Sequence, residues 1–352
     1  MATQLDHYRL LGHSGLRVSP LALGTMTFGA GQGWGTDEDE ARKILDLYAE
    51  RGGNSIDTAN FYAGGESERM LGRLVQGRRN RFVIASKYSL TMSPGDPNAS
   101  GNHRKNMVQA VEASLQRLGT DYVDLLYLHV WDQRTPVDEI LRAFDDLVRA
   151  GKILYIGVSD TPAWQASRMQ AIAELRGWSR LAALQIPYNL TERTVERDLI
   201  PMAATMGMGV LPWSPLAGGV LSGKYQQSDL ASADRSAMSS RKNINVATGR
   251  LSERTLGIAA QVTAVAGEIG CTPAQVALAW TLLNAAVTSP ILGTRTAAQL
   301  EDNLRALEVV FSAEQIARLD AASRIDLGFP HEFLASGVIG PMFGNVTVAR
   351  RA

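Results

Sequence analysis

The sequence predicts an α/β chain: a single (β/α)8 TIM barrel with an N-terminal β-hairpin, a long βα loop after strand 7 and a C-terminal tail. Three observations predict it. Short apolar runs alternate with longer amphipathic segments along almost the whole chain. Eight such runs follow the opening hairpin. No reversal point breaks the alternation, which favours a closed barrel over an open doubly wound sheet. Parallel neighbours need a helical crossover, and that crossover covers the sheet.

The hairpin is read from 9–12 and 15–18, and the strand candidates are 21–25, 55–58, 81–87, 123–129, 153–158, 183–186, 209–213 and 287–292. Between them, Met107, Val111, Leu115 and Leu118 recur at three- and four-residue steps on one helical face, and Gly119 supplies a left-handed stop. Ile140, Leu141, Phe144, Leu147 and Val148 form a second stripe, with Thr135 expected as N-cap, Pro136 at the first helical position and Gly151 beyond the end. Thr272 to Gln275 and Ser312 to Gln315 read as capping boxes. One long irregular stretch, 217–250, carries recurring Ser and Gly on the side where a functional lid would sit. Residues 1–352 are taken as one domain, with a core over about 8–320 and an extended tail over about 325–352.

Composition narrows the function classes. Lys plus Arg and Asp plus Glu balance at 35 each, so no net positive field argues for nucleic acid and no acidic excess argues for disorder. A single cysteine, Cys271, rules out an internal disulfide framework and a multi-cysteine metal cluster, and no metal is expected. The first residues show no basic region followed by an apolar one, and no apolar run is long enough to span a bilayer, so the default location is the cytoplasm with no membrane partner. A homo-oligomer stays open.

Reactive groups of such a barrel gather at the C-terminal ends of its strands. Here the second strand ends in Asp57 with Tyr62 in the following loop, the third ends at Lys87 and the fourth at His129. These four make a coherent proton-delivery unit. A phenol is a reluctant acid at neutral pH, but a neighbouring ammonium stabilises the phenolate, so Lys87 is expected to lower the pKa of Tyr62. Asp57 would keep a partly buried Lys87 protonated. A neutral His129 could donate to a carbonyl oxygen and share oxyanion stabilisation with Tyr62.

Each residue alone has a plainer account: Tyr62 an exposed loop aromatic, Lys87 a solvated strand end, His129 a structural hydrogen-bonded residue, Asp57 a turn cap. Their joint placement at successive strand ends favours function. The run from Gly29 through Trp34 to Gly35 imitates a dinucleotide fingerprint but lacks a third glycine at the required spacing, so it reads as a flexible first βα loop. Arg78, Arg79 and Arg81 precede a strand and read as a solvated turn on the opposite face.

The run Asp57-Thr58-Ala59-Asn60-Phe61-Tyr62-Ala63-Gly64-Gly65-Glu66-Ser67-Glu68, with Ser86-Lys87 and Leu128-His129, resembles the aldo-keto reductase family over about residues 8–320. Its character is similar to the bacterial oxidoreductase and potassium-channel β-subunit branch. The resemblance implies a Tyr-Lys-Asp-His tetrad at Tyr62, Lys87, Asp57 and His129, and a nicotinamide cofactor lying across the barrel top. It also implies that Ser159 and Gln185 contact the nicotinamide carboxamide. Asp160 stands where the family has asparagine, and a carboxylate accepts from the amide nitrogen but cannot donate to its oxygen. Trp213 matches the residue that stacks on the nicotinamide, and Ser214, Leu216 and Gly218 resemble the pyrophosphate-contacting stretch.

After the eighth strand, Gly293, Thr294 and Arg295 open a helix carrying Gln299 and Asn303. A helix start plus a guanidinium suits an anion. By resemblance Arg295 and Gln299 would contact the 2′-phosphate of NADP and Asn303 the adenine, so the expected cofactor is NADPH/NADP+. Phe28, Trp34, Phe61, Tyr88 and Trp131 fall on the first four βα loops and suggest a pocket for an aromatic or moderately apolar carbonyl compound. The expected activity is reduction of that aldehyde or ketone by hydride transfer, with Tyr62 as general acid. The competing expectation is a cofactor-holding partner protein of the channel β-subunit kind with weak catalysis. A non-redox barrel lyase or hydrolase is disfavoured, because no second carboxylate pair or metal-ligand cluster stands where one would be needed.

Overall fold

The computed structural model describes residues 4–29, 35–231, 240–342, 344 and 346. An antiparallel hairpin, β1 (Arg9–Leu10) and β2 (Arg17–Val18), precedes eight parallel strands. These are β3 (Ala22–Gly24), β4 (Ser55–Asp57), β5 (Val83–Tyr88), β6 (Val123–Leu128), β7 (Ile153–Ser159), β8 (Leu181–Pro187), β9 (Gly209–Trp213) and β10 (Ile291–Gly293), ordered β10-β3-β4-β5-β6-β7-β8-β9. Between β9 and β10 the barrel closes through a parallel bridge from Val210 to Val287, with the Thr288 amide donating to the Val210 carbonyl at 2.8 Å. The expected strand 287–292 is therefore split. Pro290 has no N–H for a ladder, so the chain pairs with β9 before it and with β3 after it.

The helices α1 (Glu38–Glu50), α2 (Glu66–Val75), α3 (Arg104–Leu118), α4 (Val137–Arg149), α5 (Ala163–Arg176) and α6 (Leu199–Met206) each follow one strand. After β9 come α7 (Gln227–Ala231), α8 (Arg241–Ala247), α9 (Glu253–Ile269) and α10 (Pro273–Thr281). After β10 come α11 (Ala297–Leu304), α12 (Ala313–Ser323), α13 (His331–Ala335) and α14 (Ile339–Met342). Within the described parts of the stretch 217–250, which leave out 232–239, there are a 3-10 turn and two short helices, and the tail holds α13 and α14 rather than being extended throughout. Periodicity over so few residues is too short to register in sequence.

Local punctuation follows the residues. Gly119 ends α3 at φ 63°, and both capping boxes form at the starts of α10 and α12. α4 starts one residue later than expected: its cap is Pro136, because the Thr135 hydroxyl is taken by Asp132 Oδ2 at 2.6 Å. Arg79 is not a solvated turn residue. It reaches Asp124 Oδ2 at 2.7 Å and stacks over Tyr122 at 4.3 Å.

β5 and β6 are buried along their whole length, as expected where helices cover the outside and side chains fill the inside. Inside the barrel, Val83, Ala85, Leu125, Tyr127, Ala183 and Leu211 cluster with Leu11 and Val18 of the hairpin, which plugs the N-terminal mouth. Gly12 makes that plug fit: at φ 55° a Cβ would lie 2.4 Å from the Gly207 carbonyl oxygen. The C-terminal mouth is left for chemistry. Among the described residues no single helix is long and apolar enough to cross a membrane; α9 and α10 meet that test only together, bent by 102°.

Candidate active site

β4, β5 and β6 are neighbours in register, with Ile56 beside Ile84 and Lys87 beside Tyr127, so their ends converge. Lys87 is buried, and its Nζ donates to Asp57 Oδ2 at 2.6 Å, to the Thr58 carbonyl at 2.8 Å and to the Tyr62 hydroxyl at 3.0 Å. The His129 ring stands edge-on to Tyr62, centroids 6.1 Å apart at 80°. Its backbone N–H donates to the Tyr88 carbonyl at 3.0 Å, while its Nδ1 is buried with no protein partner. The four residues expected to meet do meet.

Burial pulls the Lys87 ammonium down, but Asp57 and Tyr62 together hold it above its ordinary value. Burial pushes the Tyr62 phenol up, and the opposing pull of Lys87 does not restore it. The expected lowering is corrected accordingly: the ammonium acts in the expected direction, desolvation outweighs it, and the phenol keeps its proton at neutral pH. Burial, helped by the Lys87 charge, depresses His129 to about 3, so its imidazole is neutral.

Ser67 and Glu68 are scaffolding. Glu68 is fully buried, accepting from Ser86 Oγ at 2.6 Å and from Arg117 Nε at 2.6 Å, which fixes the residue beside Lys87. The Ser67 hydroxyl donates to the Thr25 carbonyl at 2.8 Å and lies 3.2 Å from Thr58 Oγ1, tying β3 to the end of β4.

Ser159 and Gln185 lie side by side at the ends of β7 and β8. Gln185 is already engaged: its Nε2 donates to Asp57 Oδ1 at 2.8 Å, leaving its oxygen as an acceptor. Asp160, at a left-handed φ of 41°, accepts from Trp213 Nε1 at 3.2 Å, and burial pushes its carboxyl up. The Arg250 guanidinium lies 5.5 Å from the Trp213 ring centroid.

Ser214, at φ 52°, has its carbonyl held by Asn189 Nδ2 at 3.0 Å. The Leu216 carbonyl accepts from the Gly219 amide at 2.8 Å, and the Gly218 carbonyl from Asn245 Nδ2 at 3.1 Å. Gly293 and Arg295 are exposed at the rim, whereas Thr294 is buried and its carbonyl accepts from Thr27 Oγ1 at 2.7 Å. Gln299 closes the turn into α11, its Oε1 accepting from the Arg295 amide at 3.0 Å, and Asn303 is buried farther along that helix.

Sequence reasoning missed three cations beside Arg295. Burial and the charges of Arg295 and Arg241 lower Lys224, while burial and the charges of Arg250 and Arg295 lower Arg241. Lys224 and Arg241 thus lie within electrostatic reach of Arg295, and Arg250 of Arg241, a cationic grouping suited to a polyanion. They come from 224, 241, 250 and 295, a spread no local motif reveals.

Of the expected pocket residues, Phe61 is 46 % exposed and Trp131 half-buried, both at the rim. Phe28 and Tyr88 are corrected to core residues. Both are fully buried; the Tyr88 hydroxyl is spent on the Asn102 carbonyl at 3.1 Å, and its ring meets Phe144 edge-on. Trp34 lies outside the described residues. Among those residues no group of three or more His, Cys, Asp or Glu could hold a metal ion.

Comparison with known proteins identifies the family. A norsolorinic acid reductase of Aspergillus flavus is 38 % identical over 345 residues, covering 94 % of this chain and 85 % of that protein. An aldo-keto reductase of Emericella nidulans is 35 % identical, with 94 % and 85 % covered. An aryl-alcohol dehydrogenase of Pestalotiopsis microspora is 34 % identical, with 97 % and 89 % covered. These relatives are fungal, so the tetrad motif identified the family but not the bacterial and channel-subunit branch it suggested. The family model described as "Aldo/keto reductase family" matches residues 20–324, and with relatives this similar over nearly the whole length, the chain belongs to the aldo/keto reductase family of oxidoreductases.

Proposed function

We propose that this chain reduces an aryl or moderately apolar aldehyde or ketone to the alcohol with NADPH, Tyr62 delivering the proton. The observation that carries the reading is the buried Lys87 Nζ held 3.0 Å from the Tyr62 hydroxyl and 2.6 Å from Asp57. Bound NADPH would supply a hydride to the carbonyl carbon. Tyr62 transfers its proton to the carbonyl oxygen, and the phenolate left behind is neutralised by the adjacent ammonium. His129, neutral through burial, orients that oxygen without competing as an acid.

The residues present fit such a cofactor. Lys224, Arg241, Arg250 and Arg295 answer its phosphates, with Gln299 and Asn303 on the adjoining helix toward the adenylate. The Trp213 ring offers a stacking face, while Ser214, Leu216, Gly218 and Gly293 supply rim backbone on that side, with Thr294 buried behind Gly293. Ser159 and the Gln185 oxygen remain for the carboxamide, with Asp160 as an acceptor only. The aryl preference follows Phe61 and Trp131 at the rim and the activities for which the relatives are named.

Tyr62→Phe is expected to lower kcat about a thousandfold while NADPH affinity, followed by its fluorescence on mixing, stays within a few-fold. Unchanged reduction in the variant refutes Tyr62 as proton donor. Faster turnover of short sugars than of substituted benzaldehydes refutes the aryl preference. Stoichiometric NADPH binding without turnover across a carbonyl panel favours a cofactor-holding partner protein instead.

A further inference from the structure

The large apolar side chains left exposed among the described residues are not spread evenly. Met26, Phe61, Met92, Val130 and Trp164 follow β3, β4, β5, β6 and β7 in turn, so five adjacent strands each place one on the C-terminal rim. Another group sits on the tail, Tyr8 and Leu10 lie together at the start of the hairpin, and the rest lie elsewhere. Single exposed apolar residues are ordinary, whereas a contiguous set beside a reactive site marks a binding surface.

Within this arc, Trp164 meets Trp131 edge-on, ring centroids 5.3 Å apart at 83°. Trp131 is two residues beyond His129, whose ring faces Tyr62, so an aromatic line runs outward from the proton donor. Trp131 is half-buried and Trp164 is 61 % exposed, which places Trp164 at the outer end.

The inner indole is held on both flanks. The Val130 carbonyl accepts from Asn102 Nδ2 at 2.9 Å, and the Asp132 amide donates to Asn102 Oδ1 at 2.7 Å. The outer indole projects from the first turn of α5, behind the Pro162 cap. The inner indole, so held, loses little freedom when a flat ligand settles on it. Trp131 Nε1 is also buried with no protein partner, a donor that a ligand oxygen could satisfy.

We propose that Trp131 and Trp164 form an outer aromatic subsite that takes the second ring of a fused two-ring aryl aldehyde or ketone. The position of the carbonyl under Tyr62 and His129 rests on the reductase reading; the ring contact does not. A single ring engaged at the carbonyl meets Trp131, and a second ring is needed to gain Trp164, one ring-to-ring distance farther out.

The test compares 2-naphthaldehyde with benzaldehyde in the wild type, Trp164→Ala and Trp164→Phe, using the full chain with NADPH. Binding of the unreactive 2-naphthamide and benzamide is measured in parallel by calorimetry with NADP+ present. In Trp164→Ala the naphthyl-to-phenyl ratio of kcat/KM is expected to fall about tenfold, the amide affinity ratio to fall in step, and Trp164→Phe to recover most of both. Ratios unmoved in Trp164→Ala overturn the subsite. Unmoved ratios with an altered sedimentation coefficient reassign Trp164 to a contact between two copies of the chain. If the wild type reduces neither aldehyde yet amide binding still depends on Trp164, the reductase reading falls and the subsite stands.

Discussion

Around the C-terminal mouth, the half of the rim built on β3 to β7 ends in apolar side chains, whereas the half served by β9, β10 and the segments after them gathers four cations. Tyr62, Lys87 and His129 stand on the apolar side, and Gln185 reaches Asp57 from the other. The two halves recognise ligands by different physics. Apolar contact is short-ranged and grows with area buried, while a cluster of like charges acts at a distance and is screened by salt. On the proposed reading, a polyanionic cofactor and an apolar carbonyl compound would be selected independently over one reacting centre. Backbone strain marks the same face: Ala63, Ser89, Gln133, Asp160, Ser214 and Ala217, the described non-glycine residues with positive φ, all lie in loops that follow barrel strands.

The comparison breaks most directly through the cations. Arg295→Met and Lys224→Met are each expected to raise the NADPH Kd about 10- to 100-fold, the range for a lost hydrogen bond to a charged group. Raising salt from 50 to 500 mM should weaken NADPH binding in the wild type and far less in either variant, with the KM for benzaldehyde moving little. Fluorescence titration reads the first and steady-state kinetics the second. If Phe61→Ala raises the NADPH Kd as far as Arg295→Met does, the rim is not divided in this way.

The apolar half has an electrostatic consequence of its own. With the His129 pKa depressed to about 3 in the folded protein and near 6.5 in the unfolded chain, the unfolded state holds the proton between those values. Stability from the neutral imidazole is full above pH 6.5 and is lost as pH falls toward 3, about 2 kcal/mol of it by pH 5. Urea unfolding at pH 7 and pH 5 should show His129→Gln losing less stability than the wild type. Equal losses would mean that burial does not hold the ring neutral.

Most of the barrel was legible because a strand covered on both faces is a continuous apolar run, and the residue ending each run then names its contribution to the mouth. Asp57, Tyr62, Lys87 and His129 were found that way. What escaped depended on direction or on distance along the chain. Phe28 and Tyr88 sit beside rim residues in sequence, yet their side chains turn into the core. Trp164 was hidden in the first turn of a helix, where one apolar residue says nothing about facing. The partners of Arg295 lie as far off as residue 224, in a stretch that reads as irregular. The bond from Gln185 to Asp57 spans 128 positions and two side chains with other plausible duties.

Asp160 stands where the two halves of the rim meet, and its replacement gives the smallest expected effect. It follows the last apolar-side strand and accepts from Trp213 on the cationic side, in a backbone conformation that Asn tolerates as well as Asp does. In the proposed cofactor site a carboxylate here would offer the carboxamide an acceptor only, and its charge would oppose the approach of a polyanion. Asp160→Asn keeps an acceptor for the indole, adds a donor and removes the charge. NADPH binding should tighten about three- to tenfold, the worth of one net hydrogen bond, with thermal stability changed little because the Trp213 contact persists. Whatever pH dependence the raised carboxyl of Asp160 gives the wild-type Kd should be absent from the variant. Weaker binding by Asp160→Asn would instead show that the carboxylate is the acceptor the cofactor amide requires, and that the departure from the family asparagine is a specificity device of this chain.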